Sequence, residues 1–512
     1  PATADQTLTI DHKQATTSPQ PAVSPTVAPL LTELPATTSW VHTIKPVNDF
    51  ERQPMLPMQY SYSGPRMAVG DINGDGLDDA FVCGTPEKPG TLLFNNGAGF
   101  TLTALPEPVL RRGGTAPASL RKNADAVLAD LNGDKRPDLF VVNGGYNLRD
   151  MSELPDQLWL NESGQLYSTP LPNDEINGSC VTPIDVDRDG DLDLFVGGYV
   201  RPNRFPVADE SVLLINDGKA RFTQKSLGKL GLVTDATTTD VDRDGWPDLV
   251  VVGEWMPVTV LLNSKGQLQL PASTTEPKAL LGWWNRVEKA DLDGDGDEDL
   301  IVGNMGQNTQ FRANAAEPAT LVYEDFDQNG VLDCFMTYYI QGKAYPAHTR
   351  DEVSEQVTSL RRTFQTYAAY STATLDQFFD PSVLQQAKKK EINETRTLVL
   401  ENRNGQFVTH NLPPAAQYAP VCAILAEDLD GDGKKDLVLM GNNSMLRLRL
   451  GKVDANHGLV LRNKSGFQFE TMPVTRSGLF VNGDIRDIKR VGTYLLIGQC
   501  NGPLKTFKMV DM

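Results

Sequence analysis

A chain of 512 residues, 40% hydrophobic and 22% charged, with 43 Gly and 34 Pro, has the composition of a folded protein too long for one simple domain. It lacks an apolar run near the roughly 20 residues that a membrane helix needs, so no transmembrane segment is expected. With 66 acidic against 47 basic residues its net charge is -19, which repels phosphate backbones, argues against nucleic acid as a partner and favours cations.

Residues 1–38, rich in Thr, Ala and Pro, read as a linker, and residues 39–512 as the folded unit. The chain opens at Pro1 without a basic-then-apolar leader, so it is expected to be processed or to be part of a longer precursor with upstream domains. Residues 40–44, starting at Trp40, have strand character. Cys83, Cys334 and Cys422 sit in apolar runs and read as small buried hydrophobes; with Cys180 and Cys500 they form no CxxC pair.

A nine-residue pattern, D-x-[DN]-x-[DN]-G-x-x-D, then recurs seven times. Its positions 1, 3, 5, 7 and 9 are Asp71, Asn73, Asp75, Leu77 and Asp79 in the first copy, and Asp130, Asn132, Asp134, Arg136 and Asp138 in the second. The third holds Asp185, Asp187, Asp189, Asp191 and Asp193, and the fourth Asp240, Asp242, Asp244, Trp246 and Asp248. The fifth holds Asp291, Asp293, Asp295, Asp297 and Asp299, and the sixth Asp325, Asp327, Asn329, Val331 and Asp333. The seventh holds Asp428, Asp430, Asp432, Lys434 and Asp436.

Carboxylates at alternate positions suit a hard cation that takes six to eight oxygens, and calcium fits better than magnesium. Positions 1, 3 and 5 wrap the ion, Gly at position 6 permits the turn, position 7 offers its carbonyl, and position 9 closes the shell. An EF-hand would need a Glu at position 12 and flanking helices, which the sequence does not supply. About seven Ca²⁺ are therefore expected, and they would bring the formal charge from -19 to -5. The second copy has Lys135 where Gly is expected, which weakens it as a site.

Every copy is followed by an apolar run such as residues 139–142, which reads as a buried strand. A second element, close to L-x-x-N-x-x-G-x-F, follows at Leu92, Leu158, Leu213, Leu261, Leu398 and Leu459 and marks a second hairpin. Two hairpins per unit make a four-stranded antiparallel blade, and repetition of blades makes an all-β propeller. Copies start 59, 55, 55, 51, 34 and 103 residues apart, the last interval stretched by a helical insertion over residues 349–390. There Thr349 and Glu352 form a capping box, Val353, Val357, Leu360, Phe364 and Tyr367 keep helical spacing, and Asp380-Pro381 starts another helix. A degraded eighth copy at Asp484 and Asp487 precedes the run 494–497. The count is eight blades, with seven as the alternative, and the strand at Trp40 is expected to complete the last one.

The seven loops resemble the FG-GAP/VCBS repeats of integrin α-chain propellers and large bacterial surface proteins. Ser63-Gly-Pro-Arg-Met-Ala-Val-Gly-Asp71, Gly253-Glu-Trp-Met-Pro257 and Gly282-Trp-Trp-Asn-Arg286 are similar to segments of Bacteroidota exported proteins that also carry an ASPIC/UnbV region. Residues 1–10 are similar to the tail of that region. The resemblance implies an extracellular, cell-surface or outer-membrane-associated protein.

For the loops, ions acting as staples between blades explain the acid content without a further role. Strand direction places the ligand elsewhere: segments after the second strand and before the first must lie at the opposite end of the ring. That end would carry Tyr146, Arg149, Tyr199, Arg201, Arg204, Trp255, Trp283, Trp284 and Arg286, a set suited to a glycan or protein loop, although the tryptophans also suit a ring plug. The five histidines form no HExxH, and no GxSxG, Walker or GxGxxG motif occurs. The expected function is a non-catalytic binding or adhesion module. The alternatives are a scaffold within a surface assembly and a lyase-like enzyme acting on polysaccharides.

Overall fold

The apolar run after each acidic copy becomes a strand buried on both faces. In Asp138–Asn143, Leu139 and Val141 pack with Phe81 and Leu92 of the preceding repeat, while Phe140 and Val142 pack with Val181 and Leu194 of the next. Strand side chains alternate, so a strand wedged between two sheets needs apolar residues at every position, and the sequence reads as a continuous run. The computed structural model describes residues 28–35, 40–106, 109–110, 114–115, 121–146, 148, 154–171, 175–270 and 279–510.

Eight four-stranded antiparallel sheets result. Blade 1 is Met67–Gly70, Asp79–Val82, Thr91–Asn95 and Phe100–Ala104. Blade 2 is Asn123–Ala129, Asp138–Asn143, Gln157–Glu162 and Gln165–Thr169. Blade 3 is Gly178–Ile184, Asp193–Gly198, Ser211–Asn216 and Phe222–Gly228. Blade 4 is Leu232–Thr239, Asp248–Pro257, Thr259–Asn263 and Leu268–Gln269, with Leu281–Trp283 added to its second strand. Blade 5 is Arg286–Ala290, Asp299–Gly303, Leu398–Arg403 and Gln406–Asn411. Blade 6 is Val421–Glu427, Asp436–Gly441, Leu459–Ser465 and Gln468–Met472. Blade 7 is Ile485–Val491, Tyr494–Gln499 and Lys505–Met509, closed by Leu31–Glu33 from the chain start.

The first strands of these seven blades adjoin one another in a closed circuit, with blade 7 beside blade 1. Seven apolar clusters fill the seven interfaces, one each. The ring therefore has seven blades, and the expectation of eight is corrected. The eighth sheet, Ala319–Glu324, Asp333–Ile340, Lys343–Pro346 and Lys388–Ile392, is inserted between the second and third strands of blade 5. Its acidic hairpin, which begins at Asp325, has the same local sequence as a blade hairpin, so spacing alone counts it as a blade. Blade 5 has not lost its second hairpin; the insertion displaces it to Leu398–Arg403 and Gln406–Asn411.

The insertion thus exceeds residues 349–390. Thr349 does cap Arg350–Gln356, accepting from the Glu352 amide, and Pro381–Gln386 follows Asp380. Val353, Val357, Leu360 and Phe364 pack on Phe335, whereas Tyr367 is exposed because the helix breaks into short turns before it. Two boundary expectations also change. Residues 31–33 belong to the ring and not to a linker, while Trp40 packs at the interface of blades 7 and 1, its Nε1 donating to Thr91 Oγ1 at 3.0 Å. Asp484 and Asp487 lie at the far end of Ile485–Val491 from the turn to Tyr494, so they are no remnant of an acidic loop.

Candidate functional site

Each acidic loop joins the first two strands of a sheet, so six of them line one end of the ring and the sixth copy, from Asp325 to Asp333, caps the inserted sheet. In the first loop the Asp71 carboxylate accepts from the amides of Gly74, Asp75 and Gly76 at 2.8, 3.1 and 2.9 Å. That curl requires left-handed backbone at position 6, and Gly76 has φ 85°. Lys135 takes the same conformation at φ 65° in the second loop. There the Arg136 guanidinium donates to Asp134 Oδ2 at 2.6 Å, placing a cation of the protein itself on a ligand carboxylate.

The donor set fits a hard divalent ion. In five loops, the groups Asp185/Asp187/Asp189, Asp240/Asp242/Asp248, Asp291/Asp293/Asp295, Asp325/Asp327/Asp333 and Asp428/Asp430/Asp436 bring ligand oxygens within 4.8 Å of one another. Asp185 Oδ1, Asp327 Oδ1 and Asp430 Oδ1 are buried without a hydrogen-bond partner, as oxygens reserved for an ion would be. Several such clusters suit calcium.

Position 9 does more than close a shell. Asp79 Oδ2 accepts from the Ile72 amide at 3.0 Å and its Oδ1 from the Asn95 amide at 2.8 Å, so one carboxylate ties the loop to the third strand. The arrangement recurs at Asp138, Asp193, Asp248, Asp299 and Asp436. Burial, reinforced by neighbouring loop carboxylates and opposed by these amides, pushes Asp138, Asp193, Asp248 and Asp436 up to about 6 and Asp299 to about 7 in the ion-free loops. A cation would reverse that shift.

The Asn of the second hairpin is the partner that the sequence pattern left unassigned. Asn161 Nδ2 donates to Ile72 O of blade 1 at 2.8 Å. Asn216, Asn263, Asn402 and Asn463 reach back in the same way to Leu131, Val186, Val241 and Leu292, at 2.8, 2.8, 3.1 and 2.8 Å. Five consecutive interfaces are latched loop to hairpin. Asn95 instead bonds within its own blade, to Asp78 O, because blade 7 has no acidic loop to offer. Side chains add links at position 7: Arg188 lies over Trp246 at 5.2 Å, and Arg243 pairs with Asp297.

At the opposite end lies an axial cavity of about 480 Å³. Its wall takes residues from every blade: Arg66, Gly144, Tyr199, Glu254, Met305, Cys422 and Arg486 among them. These lie at or just ahead of the start of first strands, or towards and beyond the end of second strands, as strand direction requires. Gln59 and Tyr62 come from the segment ahead of blade 1, and Arg312 from the insertion. Glu254 is 1% exposed and accepts from Tyr60 Oη at 3.0 Å and Tyr199 Oη at 2.7 Å. Burial pushes it up to about 7 against those bonds.

Beneath the cavity the seven equivalent positions where the first strands begin form a collar. They hold Arg66, Asp125, Cys180, Asp235, Arg286, Ala423 and Asp487 in blades 1 to 7. Each Asp accepts the amide of the next blade's first strand, from Val181, Val287 or Met67, at 3.1, 3.0 and 2.8 Å. Arg286 spans the axis to Asp235 at 3.3 Å and Asp487 at 3.1 Å. Burial raises Asp125 to about 6 and Asp235 to about 7, with Arg66 opposing.

The expected ligand-face residues are not gathered into one surface. Tyr199 and Trp283 line the cavity. Trp255 and Trp284 are core residues at 3% and 0% exposure, and Trp283 is 2% exposed against Trp255, so the tryptophans plug rather than present. Tyr146 is buried against Tyr60 and donates to Gln53. Arg286 is the axial tie just described, Arg204 is exposed, Arg201 faces Asp209 at 3.9 Å, and Arg149 lies outside the described residues. Cys83 and Cys334 are buried, but Cys422 sits half-buried at the cavity. Arg66 lies in the segment Ser63–Asp71, one residue ahead of the first strand of blade 1, and that position is its sequence signal.

The FG-GAP-like repeat family matches residues 71–141, 130–196 and 240–302, each match running from one acidic loop into the second strand of the next blade. The chain thus carries FG-GAP-like repeats. Integrin alpha-V of Gallus gallus is 28% identical over 258 residues, which cover 44% of this chain and 23% of that relative. The chain spans about a quarter of the length of that curated protein. Among solved structures, an Agrocybe aegerita lectin described as recognising non-reducing terminal N-acetylglucosamine is 15% identical, covering 81% of this chain and 79% of its own, with a TM-score of 0.40. A Dos1 propeller is 8% identical, covering 93% and 95%, with a TM-score of 0.41. No helix among the described residues is long and apolar enough to cross a membrane.

Proposed function

We propose that this protein is a calcium-stabilised binding or adhesion module, exported to the cell surface, that takes a glycan or protein ligand at the end of the ring opposite the acidic loops. The observation that carries this reading is the axial cavity of about 480 Å³, walled by all seven blades and within the size range of ligand pockets. Calcium in the acidic loops, up to seven ions, acts as a staple: five of the loops are tied to their own blade through the position-9 Asp and to their neighbour through that blade's hairpin Asn. Export, and an upstream ASPIC/UnbV-like region in the same precursor, rest on the resemblance of the repeats and of residues 1–10.

The test is a ligand screen on the calcium-loaded protein, using glycan arrays and surface pull-downs, with Tyr199→Ala as the cavity variant. A signal lost in that variant with the fold intact supports a cavity ligand, and a signal indifferent to it moves the site elsewhere. No ligand in either screen favours a scaffold. Unsaturated product released from a polysaccharide would establish a lyase, with the Glu254, Tyr60 and Tyr199 cluster as the place to look.

A further inference from the structure

Charge is distributed against the trend of the chain at the cavity. The protein has 66 acidic and 47 basic residues, yet the charged residues in the cavity wall are Arg66, Arg312, Lys452 and Arg486 against Glu254 alone. Low-dielectric walls lined by one sign of charge concentrate the field on whatever enters.

The collar identifies which of these cations is free to bind. Arg66 and Arg286 occupy equivalent positions in blades 1 and 5. Arg286 donates to Asp487 at 3.1 Å and pairs with Asp235 at 3.3 Å, its Nε lacking a hydrogen bond, and it does not line the cavity. Arg66 is kept charged by Asp235, Asp125 and Asp487, but it donates only Nη2, to Thr234 O at 3.3 Å, and its Nη1 is buried without a hydrogen-bond partner. Arg486 is already engaged by Asn442 O at 2.9 Å and by Asp484 at 3.5 Å. A second orphan in the same wall has the opposite need: Gln59 Oε1 is a buried acceptor without a donor.

An occupant that satisfies both must bring an anionic acceptor for Arg66 and a donor for Gln59. A fully ionised inorganic anion supplies only acceptors. A sugar acid supplies a carboxylate, which guanidinium recognises through paired donors, and hydroxyls that donate. The half-buried Tyr62 and Tyr199 add ring surface suited to a pyranose face. Deepening the binding reading above, and resting on it, we propose that the axial cavity binds a uronate-type sugar acid, its carboxylate on Arg66 and a hydroxyl on Gln59.

The test uses the calcium-loaded full chain and calorimetric titration with glucuronate and galacturonate, free and as short oligomers, against their methyl esters and the parent neutral sugars. The acids are expected to bind at least tenfold more tightly than the esters, and the preference to shrink in 0.5 M salt. Arg66→Gln is expected to abolish the preference. Because Arg66 also balances collar aspartates, Arg312→Gln/Lys452→Gln, at two exposed rim positions, serves as a second variant, and it is expected to weaken acid binding several-fold with an unchanged melt. Esters or neutral sugars binding as well as the acids would overturn the anion inference and leave the binding module standing. Acids that bind equally to wild type and both variants would overturn it as well. So would silence of every acid at millimolar concentration, whether an acidic peptide is bound in its place or nothing is.

Discussion

At the loop end of the ring, one nine-residue pattern recurs in six blades with almost no variation, and 22 of its 24 positions 1, 3, 5 and 9 are Asp. At the cavity end, equivalent positions differ from blade to blade: the collar alone holds two Arg, three Asp, a Cys and an Ala. Repetition is the mark of a part that serves the same purpose wherever it occurs, which is to turn a hairpin in six blades and, at five interfaces, to tie it to a neighbour. Divergence is free only where the seven blades together build one object. The proposed function places stability at the loop end and recognition at the cavity end, and each predicts a different response to perturbation.

The largest expected effect is at the loop end. Removing divalent ions with a chelator should lower the melting temperature by more than about 10 °C, since several sites each add binding free energy by mass action. Measuring the melt against pH sharpens this. Without ions, the position-9 aspartates titrate at about 6 to 7 in the fold, above the roughly 4 of an unfolded Asp. The fold then holds more protons than the unfolded chain across that window, so ion-free stability falls as pH rises from about 4 to 7. With saturating calcium the carboxylates stay deprotonated in the fold, so that fall with pH is removed. The gap between the two melts should widen with pH; parallel curves would remove calcium from the account.

Packing between blades comes next. Phe140→Ala, at an interface where the ring is fully buried, should cost about 3–5 kcal/mol in chemical denaturation. The latch is smaller and offers an internal control. Asn263→Ala removes the bond to Val186 O and strands a buried carbonyl, at a cost of about 1–3 kcal/mol. Asn95→Ala occupies the same place in blade 1 but cuts no bond between blades, so it should cost about 1 kcal/mol less. Equal losses would mean that the latch does not hold neighbours together.

This contrast also explains what could be read in advance. The acidic hairpin and its buried strand have local causes: ligand spacing, a left-handed turn and apolar residues on both faces of one strand. The second hairpin was visible in Leu158 and its counterparts, but the destination of the Asn161 amide was not, since it bonds to a loop 89 residues earlier. Ring size failed for a related reason. The hairpin from Asp325 is locally identical to a blade hairpin, and only its partners, Lys343–Pro346 and Lys388–Ile392, show that it stands off the ring. The cavity was least legible. Strand direction points to the end at which the cavity lies, but the large aromatic residues Trp255 and Trp284 fill the core. The role proposed for Arg66 rests on a buried Nη1 without a hydrogen bond, which is a property of the assembled collar.

The smallest effect tests whether the second loop is a working copy or a worn one. Lys135 stands at φ 65° where the first loop has Gly76 at φ 85°. A side chain in that region costs about 1 kcal/mol, part of which Gly returns through its greater freedom in the unfolded chain. Lys135→Gly should therefore stabilise the protein by roughly 0.5 kcal/mol, and Gly76→Lys should destabilise it by about 1 kcal/mol or more, since the first loop would also gain a positive charge beside its ion. The Arg136 guanidinium on Asp134 predicts a second difference. Replacing Arg136 with Ser should add to the calcium bound at saturation or tighten its weakest step, whereas replacing Leu77 with Ser in the first loop should leave both unchanged. Calcium titration of the four variants by calorimetry measures this directly. If Arg136→Ser changes neither stoichiometry nor affinity, the guanidinium is not competing for the site, and the second loop binds its ion as the others do.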